Sequence, residues 1–336
     1  MLSNIFDTII ARRQGRIGRI TLNRPKSLNA IDGAMMRVIH RLLDGWRDDP
    51  AVHAVVIEGA GGRAFCAGGD IRLVREMVLA SDHAGIEEFF TAEYSLNLAI
   101  ARYPKPYIAL IDGVCMGGGM GLSIHGSVRV VADGALLAMP ETGIGLFPDI
   151  GASFFLPRLR PSFGMYLALT GARVRGADAA YLGLATHYVA ANRFGALADE
   201  IAKEGVAVLA SAAVPPPPAA MAALAGPMRC FDAENVAAIL EKLAALDSEW
   251  SRETLAMLRT ASPSSVLWSF ELMRKGAERT LEQCLAAELA LVRHATRHPD
   301  FLEGVRAMVV DKDRTPHWSP PRIEDVDPAM IASLFP

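Results

Sequence analysis

The feature that most restricts the fold of this chain is a unit of strand, turn and helix that occurs three times. Its strands are predicted from apolar, strand-like patterns at residues 17–22, 54–58 and 107–111. Two of the three turns that follow, at 59–69 and 112–119, are rich in glycine immediately before helical periodicity resumes. Repeated units of this kind favour an α/β fold.

A run of four prolines at residues 215–218 divides the chain, because consecutive prolines hold the backbone extended and cannot lie inside a helix or a central strand. Before this run, further strands are predicted at residues 128–132, 135–138 and 185–190. Beyond it, helical periodicity alone is found, at residues 236–246, 250–260, 264–278 and 282–297. We therefore predict an α/β core over residues 1–210 and a helical region over residues 211–336.

Composition and charge argue against several classes of partner. The chain has 34 basic and 37 acidic residues, a formal charge of −3 and no run of Lys or Arg, so no nucleic acid is expected. Residues 1–19 mix polar and apolar side chains, so we expect neither a secretory signal nor a membrane span there.

The four cysteines have neither the spacing of a metal site nor the density of a disulfide scaffold. This favours a reducing compartment, and we expect the cytoplasm.

The glycine-rich turns are candidate anion sites, because glycine lets the backbone approach a ligand and a helix start offers unpaired N–H groups. Residues 117–121 do not fit the GxGxxG pattern, which disfavours a dinucleotide site. The N–H groups of Ala67 and Gly118 could instead converge on one carbonyl oxygen as an oxyanion hole, in which losing one donor typically costs about 3 to 4 kcal/mol of barrier. Spacing alone leaves this hypothesis and a purely structural turn open.

The same turns carry a family resemblance. Residues 64–71 (AFCAGGDI) and 116–123 (MGGGMGLS) resemble the two oxyanion-hole loops of the enoyl-CoA hydratase/isomerase (crotonase) superfamily, and the stretch from Arg24 to Ala30 resembles its first CoA-contacting loop. The resemblance implies a spiral of repeated ββα units with a helical C-terminal layer. It also implies an acyl-CoA whose thioester oxygen is held by Ala67 and Gly118, with substrate contacts at Ala30, Asp70 and Gly117.

The carboxylates near these loops narrow the chemistry that the resemblance implies. Hydratases of the superfamily use two glutamates, at positions that match 121 and 141, and this chain has Gly121 and Glu141. A second acid, Asp149, follows eight residues after Glu141, and the glycines and proline between them predict a shaped loop rather than a helix.

Within the superfamily this loop resembles the 3-hydroxyisobutyryl-CoA hydrolase family. Further segments agree, at residues 169–173, 176–188, 262–265, 300–306 and 311–316. The resemblance implies substrate-site residues at Glu93, Gly118, Glu141 and Asp149. One departure is Ala152-Ser153, where two glycines are expected, and this departure would alter the width of the pocket.

The expected reaction is hydrolysis of 3-hydroxyisobutyryl-CoA, or a close short 3-hydroxyacyl-CoA, to CoA and the hydroxy acid, as in valine catabolism. Glu141 would act either as nucleophile or as base on the attacking water, and both remain open. Asp149 would hold the 3-hydroxyl or position the water. The alternatives are an enoyl-CoA isomerase or weak hydratase, and a non-catalytic acyl-CoA-binding protein.

Other residues that could carry chemistry have simpler interpretations. Ser123 and His125 lack the GxSxG context of a nucleophilic serine. His294 and His298 stand four apart but lack the HExxH glutamate, so no metal is expected. No cofactor is expected either, since CoA is part of substrate and product. The resemblance implies a possible homo-oligomer, because superfamily members often form trimers.

Overall fold

The computed structural model describes residues 4–335, with side chains from residue 7 onward. Its contacts group the chain into two compact units that are interleaved in sequence. The first unit comprises the described residues up to Asp70 together with Ala92–Ala138 and Arg173–Ala222; the second comprises Ile71–Thr91, Met139–Ala172 and the described residues from Ala223 onward. The division into residues 1–210 and 211–336 stays a prediction about sequence regions.

The first unit contains two β-sheets. Their strands are β1 (Asn4–Phe6), β2 (Ile9–Gln14), β3 (Ile17–Leu22), β4 (Ala54–Gly59), β5 (Ala64–Cys66), β6 (Tyr107–Ile111), β7 (Val114–Met116), β8 (Val128–Val131), β9 (Leu136–Ala138), β10 (Val174–Arg175) and β11 (His187–Tyr188). The larger sheet has the order β1-β2-β3-β4-β6-β8-β11, antiparallel up to β3 and parallel beyond it. The smaller sheet has the order β10-β9-β7-β5, and only β10 is antiparallel to its neighbour.

The α-helices are distributed over both units. They are α1 (Gly33–Arg47), α2 (Ile71–Leu79), α3 (His83–Ala101), α4 (Gly118–Ile124), α5 (Ala152–Phe155), α6 (Phe163–Thr170), α7 (Gly176–Leu182), α8 (Ala191–Phe194), α9 (Leu197–Glu204), α10 (Val208–Ala212), α11 (Val236–Leu246), α12 (Glu249–Thr260), α13 (Pro263–Gly276), α14 (Leu281–Ala295), α15 (Pro299–Val305) and α16 (Pro328–Leu334). Short 3₁₀ helices cover Pro25–Ser27, Glu141–Ile144, Leu156–Arg158, Ala220–Leu224, Pro227–Phe231 and Ile323–Asp325, and a π-helical turn covers Arg306–Val310.

The repeating element of the first unit is a pair of strands, one in each sheet. In the pairs β4/β5, β6/β7 and β8/β9, the first strand lies in the larger sheet and the second in the smaller one. The first two pairs are followed in the chain by α2 and α4. The predicted α/β class with repeated ββα units is therefore confirmed.

One core lies on a face of the larger sheet. Alternate apolar residues of β3, β4, β6 and β8 point to this face and pack against α9 and α10, as expected for side chains with a period of two. They include Val56, Ile108 and Val130, which contact helix residues such as Ile201 and Leu209 in one buried cluster. This packing fixes the strand ends, where the glycine-rich turns begin.

The second unit contains no strand within its described residues and is built from helices. The predicted helices at 236–246, 250–260, 264–278 and 282–297 correspond to α11, α12, α13 and α14. All four begin at side-chain caps: Asn235 and Ser262 accept from backbone N–H groups at the starts of α11 and α13, and capping boxes begin α12 and α14. No helix among residues 4–335 has both the length and the apolar character needed to cross a bilayer.

Candidate active site

The loop from Arg24 to Ala30 is held by two side chains. Buried Asn29 accepts from the Arg24 N–H at 3.0 Å and donates to the carbonyls of Ala60 and Ala64 at 3.0 and 2.8 Å. The Arg24 guanidinium donates to the Ala30 carbonyl at 2.8 Å and to the Asp70 carboxylate at 2.9 Å. The structure therefore brings Ala30 and Asp70 together around Arg24. The Ala30 carbonyl and the Asp70 carboxylate both accept from its guanidinium, and this links the loop to the glycine-rich turn at residues 59–69.

The second glycine-rich turn places Gly118 at the start of α4. As the first helical residue, Gly118 has an N–H with no acceptor inside the helix, and Gly117 before it adopts φ +49°. A Cβ added at Gly118 would lie 2.2 Å from Oε1 of Glu93 and 3.0 Å from the amide nitrogen of Gly69. The backbone at Gly118 thus faces a carboxylate and a second amide.

The N–H of Ala67 does not have the predicted role in this arrangement. It donates to the Leu28 carbonyl at 2.9 Å, so it is already used within the protein. The residues on either side of Gly69 pair with Ile31: the Ile31 N–H donates to the Gly68 carbonyl, and the Asp70 N–H donates to the Ile31 carbonyl. Because successive residues of an extended chain face opposite sides, the Gly69 N–H points away from Ile31. No acceptor among residues 4–335 takes the Gly69 N–H. Gly69, which the motif analysis did not single out, is the better-placed partner for Gly118.

Glu93 lies on α3 and is 3 % exposed, and its Oε1 lies beside Gly118. Burial, together with the nearby charge of Glu93, raises the pKa of Cys66 to about 12, and burial raises the pKa of Cys115 further. Both thiols therefore stay protonated near neutral pH and are poor nucleophiles. The Ser123 hydroxyl donates to the carbonyls of Gly119 and Met120 at 3.1 Å each, which makes it part of the helix rather than an activated nucleophile.

In the second unit, Glu141 and Asp149 lie in one irregular loop. Glu141 begins the 3₁₀ helix Glu141–Ile144 and is 6 % exposed, whereas Asp149 is 4 % exposed. The loop is tied to its neighbours at two points: the Ser262 N–H donates to the Thr142 carbonyl at 2.9 Å, and Thr142 Oγ1 donates to the Leu169 carbonyl at 3.3 Å. The prediction of a shaped loop rather than a regular helix is correct.

A third buried carboxylate, Glu288 of α14, lies directly against this loop. Its Oε2 accepts from the Gly151 N–H at 2.7 Å, and its Oε1 accepts from the N–H and hydroxyl of Ser153 at 3.0 and 2.5 Å. Burial, with a contribution from the charge of Asp149, raises the pKa of Glu288 to about 8. Sequence reasoning missed Glu288 because a glutamate on a helix is ordinarily solvent-exposed. Ser153, which stands where the family resemblance leads us to expect glycine, supplies one of these three donors through its hydroxyl group.

Among residues 4–335, no group of three or more His, Cys, Asp or Glu side chains is arranged to hold a metal ion. His294 and His298 instead pack edge-on against the ring of Trp268, with centroid distances of 5.4 and 5.3 Å. Burial lowers the pKa of both histidines, so both rings are neutral at physiological pH.

Comparison with known proteins places these features in a family. Residues 17–335 match the family model described as Enoyl-CoA hydratase/isomerase. The chain belongs to this family. The resemblance predicted from the two glycine-rich loops is thereby confirmed.

Three similar proteins illustrate the match. A relative from Xenopus tropicalis named "3-hydroxyisobutyryl-CoA hydrolase, mitochondrial" is 43% identical over 336 residues, which cover 96% of this chain and 87% of the relative. A crystal structure of a carnitinyl-CoA dehydratase from Mycobacterium thermoresistibile has a TM-score of 0.94 and 36% identity, with coverage of 98% and 97%. That of an enoyl-CoA hydratase from Rhodobacter sphaeroides 2.4.1 has a TM-score of 0.91 and 37% identity, with the same coverage.

Proposed function

We propose that this chain hydrolyses the thioester of 3-hydroxyisobutyryl-CoA, or of a close short 3-hydroxyacyl-CoA, to CoA and the free hydroxy acid. The observation that carries the proposal is the pair of buried acids Glu141 and Asp149 in one loop, with Gly121 where a hydratase would have its second glutamate. The name of the Xenopus relative, which spans nearly the whole chain, supports the same reaction.

In the proposed mechanism, the thioester carbonyl oxygen accepts hydrogen bonds from the N–H groups of Gly118 and Gly69. A Cβ added at Gly118 would lie 3.0 Å from the Gly69 nitrogen, and this closeness of the two residues supports the pairing. Both donors stabilise the negative charge that develops on the oxygen when the carbonyl carbon is attacked. Removing one such donor typically lowers kcat by about 10² to 10³. Glu93, beside Gly118, lines the acyl-binding region.

Glu141 supplies the electrons or the base for the attack. In one route its carboxylate bonds to the carbonyl carbon, the C–S bond breaks and CoA leaves as a thiolate that takes a proton; water then cleaves the mixed anhydride. In the other, Glu141 removes a proton from water, whose oxygen bonds to the carbonyl carbon; the C–S bond then breaks and the CoA thiolate takes the proton from Glu141. Asp149 holds the 3-hydroxyl of the acyl group or orients the water. Both routes consume one water and release CoA and the hydroxy acid.

The cellular setting is part of the proposal. Four free cysteines, three of them buried, suit a reducing compartment. The sequence-based expectation of the cytoplasm is not confirmed, and the relative from Xenopus is named mitochondrial. We propose a role in valine catabolism in whichever reducing compartment holds the protein. Homo-oligomer formation stays a prediction that light scattering can test.

A substrate panel tests the reaction type against its alternatives. Thiol release from 3-hydroxyisobutyryl-CoA is measured beside crotonyl-CoA hydration and isomerisation of a 3-enoyl-CoA. The proposal expects thiol release to be the fastest of the three. Faster hydration would favour the activity named for the Rhodobacter structure, and faster isomerisation would favour an enoyl-CoA isomerase. Tight binding of the CoA ester without any turnover would favour an acyl-CoA-binding protein.

The acyl-group assignment is tested with isobutyryl-CoA, which lacks the 3-hydroxyl. If Asp149 holds that hydroxyl, Asp149→Asn lowers kcat/KM for the hydroxylated substrate much more than for isobutyryl-CoA. If Asp149 orients the water instead, the variant lowers kcat for both substrates equally. Unchanged kinetics with both substrates would remove Asp149 from the mechanism.

A further inference from the structure

Glu288 is a fully buried carboxyl group that the proposed reaction does not use. It lies on α14, with 0 % of the residue exposed, and within residues 4–335 it accepts from donors of residues 151 and 153. A buried carboxyl group is costly unless hydrogen bonds satisfy it. Its place against the loop that carries Asp149 therefore indicates a purpose beyond packing.

The loop segment it contacts has an unusual backbone. Ile150 has φ +54° and Gly151 has φ +80°, so two consecutive residues lie in the left-handed region, which is unfavourable for a β-branched residue such as isoleucine. Such conformations persist where the surroundings determine them. The Ala152 N–H donates to the Asp149 carbonyl at 2.8 Å, so the backbone of Asp149 is tied to the segment that Glu288 holds.

We infer that Glu288 is a positioning residue: by accepting from Gly151 and Ser153, its carboxyl group fixes the 149–153 turn and thereby the direction of the Asp149 side chain. An apolar residue at this position would leave three donors without acceptors. Glutamine is no substitute, because one of its two terminal atoms is an NH₂ group that would face either the Gly151 N–H or the two donors of Ser153.

The electrostatics are consistent with this arrangement. The charge of Asp149 contributes to the raised pKa of Glu288, so the two carboxyl groups lie close enough to interact. Ser153 donates twice to the same oxygen, once from its backbone and once from its hydroxyl. Ser153→Ala removes only the hydroxyl and so provides a milder version of the same perturbation.

The kinetic test of this inference rests on the proposed function, because it measures turnover of 3-hydroxyisobutyryl-CoA. Glu288→Gln is expected to lower kcat/KM for 3-hydroxyisobutyryl-CoA by about 10- to 100-fold, since misplacing a reacting group by about 1 Å has effects of this size. The double variant Asp149→Asn/Glu288→Gln should lose no more than Asp149→Asn alone, within about twofold, because Glu288 acts through Asp149. Multiplication of the two losses would overturn the inference.

Controls separate positioning from general destabilisation. Val292→Ala removes buried methyl groups one turn further along α14, and Glu282→Gln removes an exposed carboxylate from the same helix. Val292→Ala should lower the Tm while keeping kcat/KM within about twofold of wild type, and Glu282→Gln should keep kcat/KM within the same limit. If Glu288→Gln does not fold, Ser153→Ala and its double variant with Asp149→Asn carry the same cycle.

A crystal structure distinguishes the two ways of failing. If the wild-type protein releases no thiol from any 3-hydroxyacyl-CoA, the proposed function fails, but the structures of wild type and Glu288→Gln still test the positioning. A rotated Asp149 side chain or a shifted 149–153 turn in the variant supports the inference. Superposable Asp149 side chains in the two structures would overturn it, whatever the activity.

Discussion

Gly118→Ala is the substitution for which the structure gives the clearest magnitude. The new Cβ would lie 2.2 Å from Oε1 of Glu93, whereas ordinary contact begins at 3.4 Å, so one of them must move by 3.4 − 2.2 = 1.2 Å. Glu93 is almost completely buried and has little room to retreat, and the amide nitrogen of Gly69 is only 3.0 Å from the same Cβ. The displacement therefore falls on the proposed pair of oxyanion donors. Loss of one donor predicts a fall in kcat of about 10² to 10³, or about 2.7 to 4 kcal/mol.

The assay is thiol release with 3-hydroxyisobutyryl-CoA, combined with thermal unfolding. Gly45→Ala is the matched control: Gly45 lies exposed in α1 with nothing within 4 Å of an added Cβ, so activity should be unchanged and stability should rise by about 0.5 to 1 kcal/mol. In Gly118→Ala/Glu93→Ala the clash is relieved, so its Tm should exceed the value expected from adding the two single effects. Wild-type turnover by a folded Gly118→Ala variant would refute the assignment of Gly118 as a donor.

Three further predictions concern titration and reactivity. The pKa of Glu288 is raised from 4.5 to about 8, so the folded state favours the protonated form. Wild type should therefore lose stability relative to Glu288→Gln as pH rises from 4.5 through 8, as measured by urea unfolding. The same pH dependence of unfolding free energy in both proteins would contradict this. The pKa of Glu303 is lowered from 4.5 to about 2, chiefly by its hydrogen bond to Arg306. Its modest contribution to folding stability is therefore present above pH 4.5 and is lost as pH falls towards 2. If Glu303→Gln lost stability in acid as much as wild type does, this prediction would be wrong. Iodoacetamide at pH 8 should label partly exposed Cys230 before Cys66, as read by mass spectrometry, and faster labelling of Cys66 would mean that its thiol is accessible and activated.

The sequence predicted the long, periodic elements of this fold and the short strands β8 and β9 well, but it missed the short strands β5 and β7. Strands β3, β4 and β6 and helices α11 to α14 were predicted close to their observed limits, because each has a hydrophobic period that local pattern reveals. Strands β5 and β7 have three residues each and lie inside the glycine-rich turns, so they are too short to have a period. Their pairing with each other is a long-range contact that local sequence does not encode.

The candidate site follows the same division. The loops that carry Gly118, Glu141 and Asp149 were found from motifs, because glycine content and acid spacing can be read locally. The choice of Gly69 rather than Ala67 depends on which amides the neighbouring loop at residues 28–31 already uses, and this is set by strand-like pairing between distant segments. Glu288 is separated from Ser153 by 135 residues, and no local pattern distinguishes it from a solvent-exposed glutamate.

In the proposed reaction of this enoyl-CoA hydratase/isomerase family member, Glu141 drives thioester hydrolysis. The most direct test is the rate of free thiol release from 3-hydroxyisobutyryl-CoA by wild type and by Glu141→Gln, which keeps the shape of the side chain but removes its carboxylate. We expect rapid thiol release by wild type and loss of this release in a Glu141→Gln variant that retains the wild-type Tm. Near-normal release by Glu141→Gln, or turnover of an enoyl-CoA without thiol release by wild type, would contradict it.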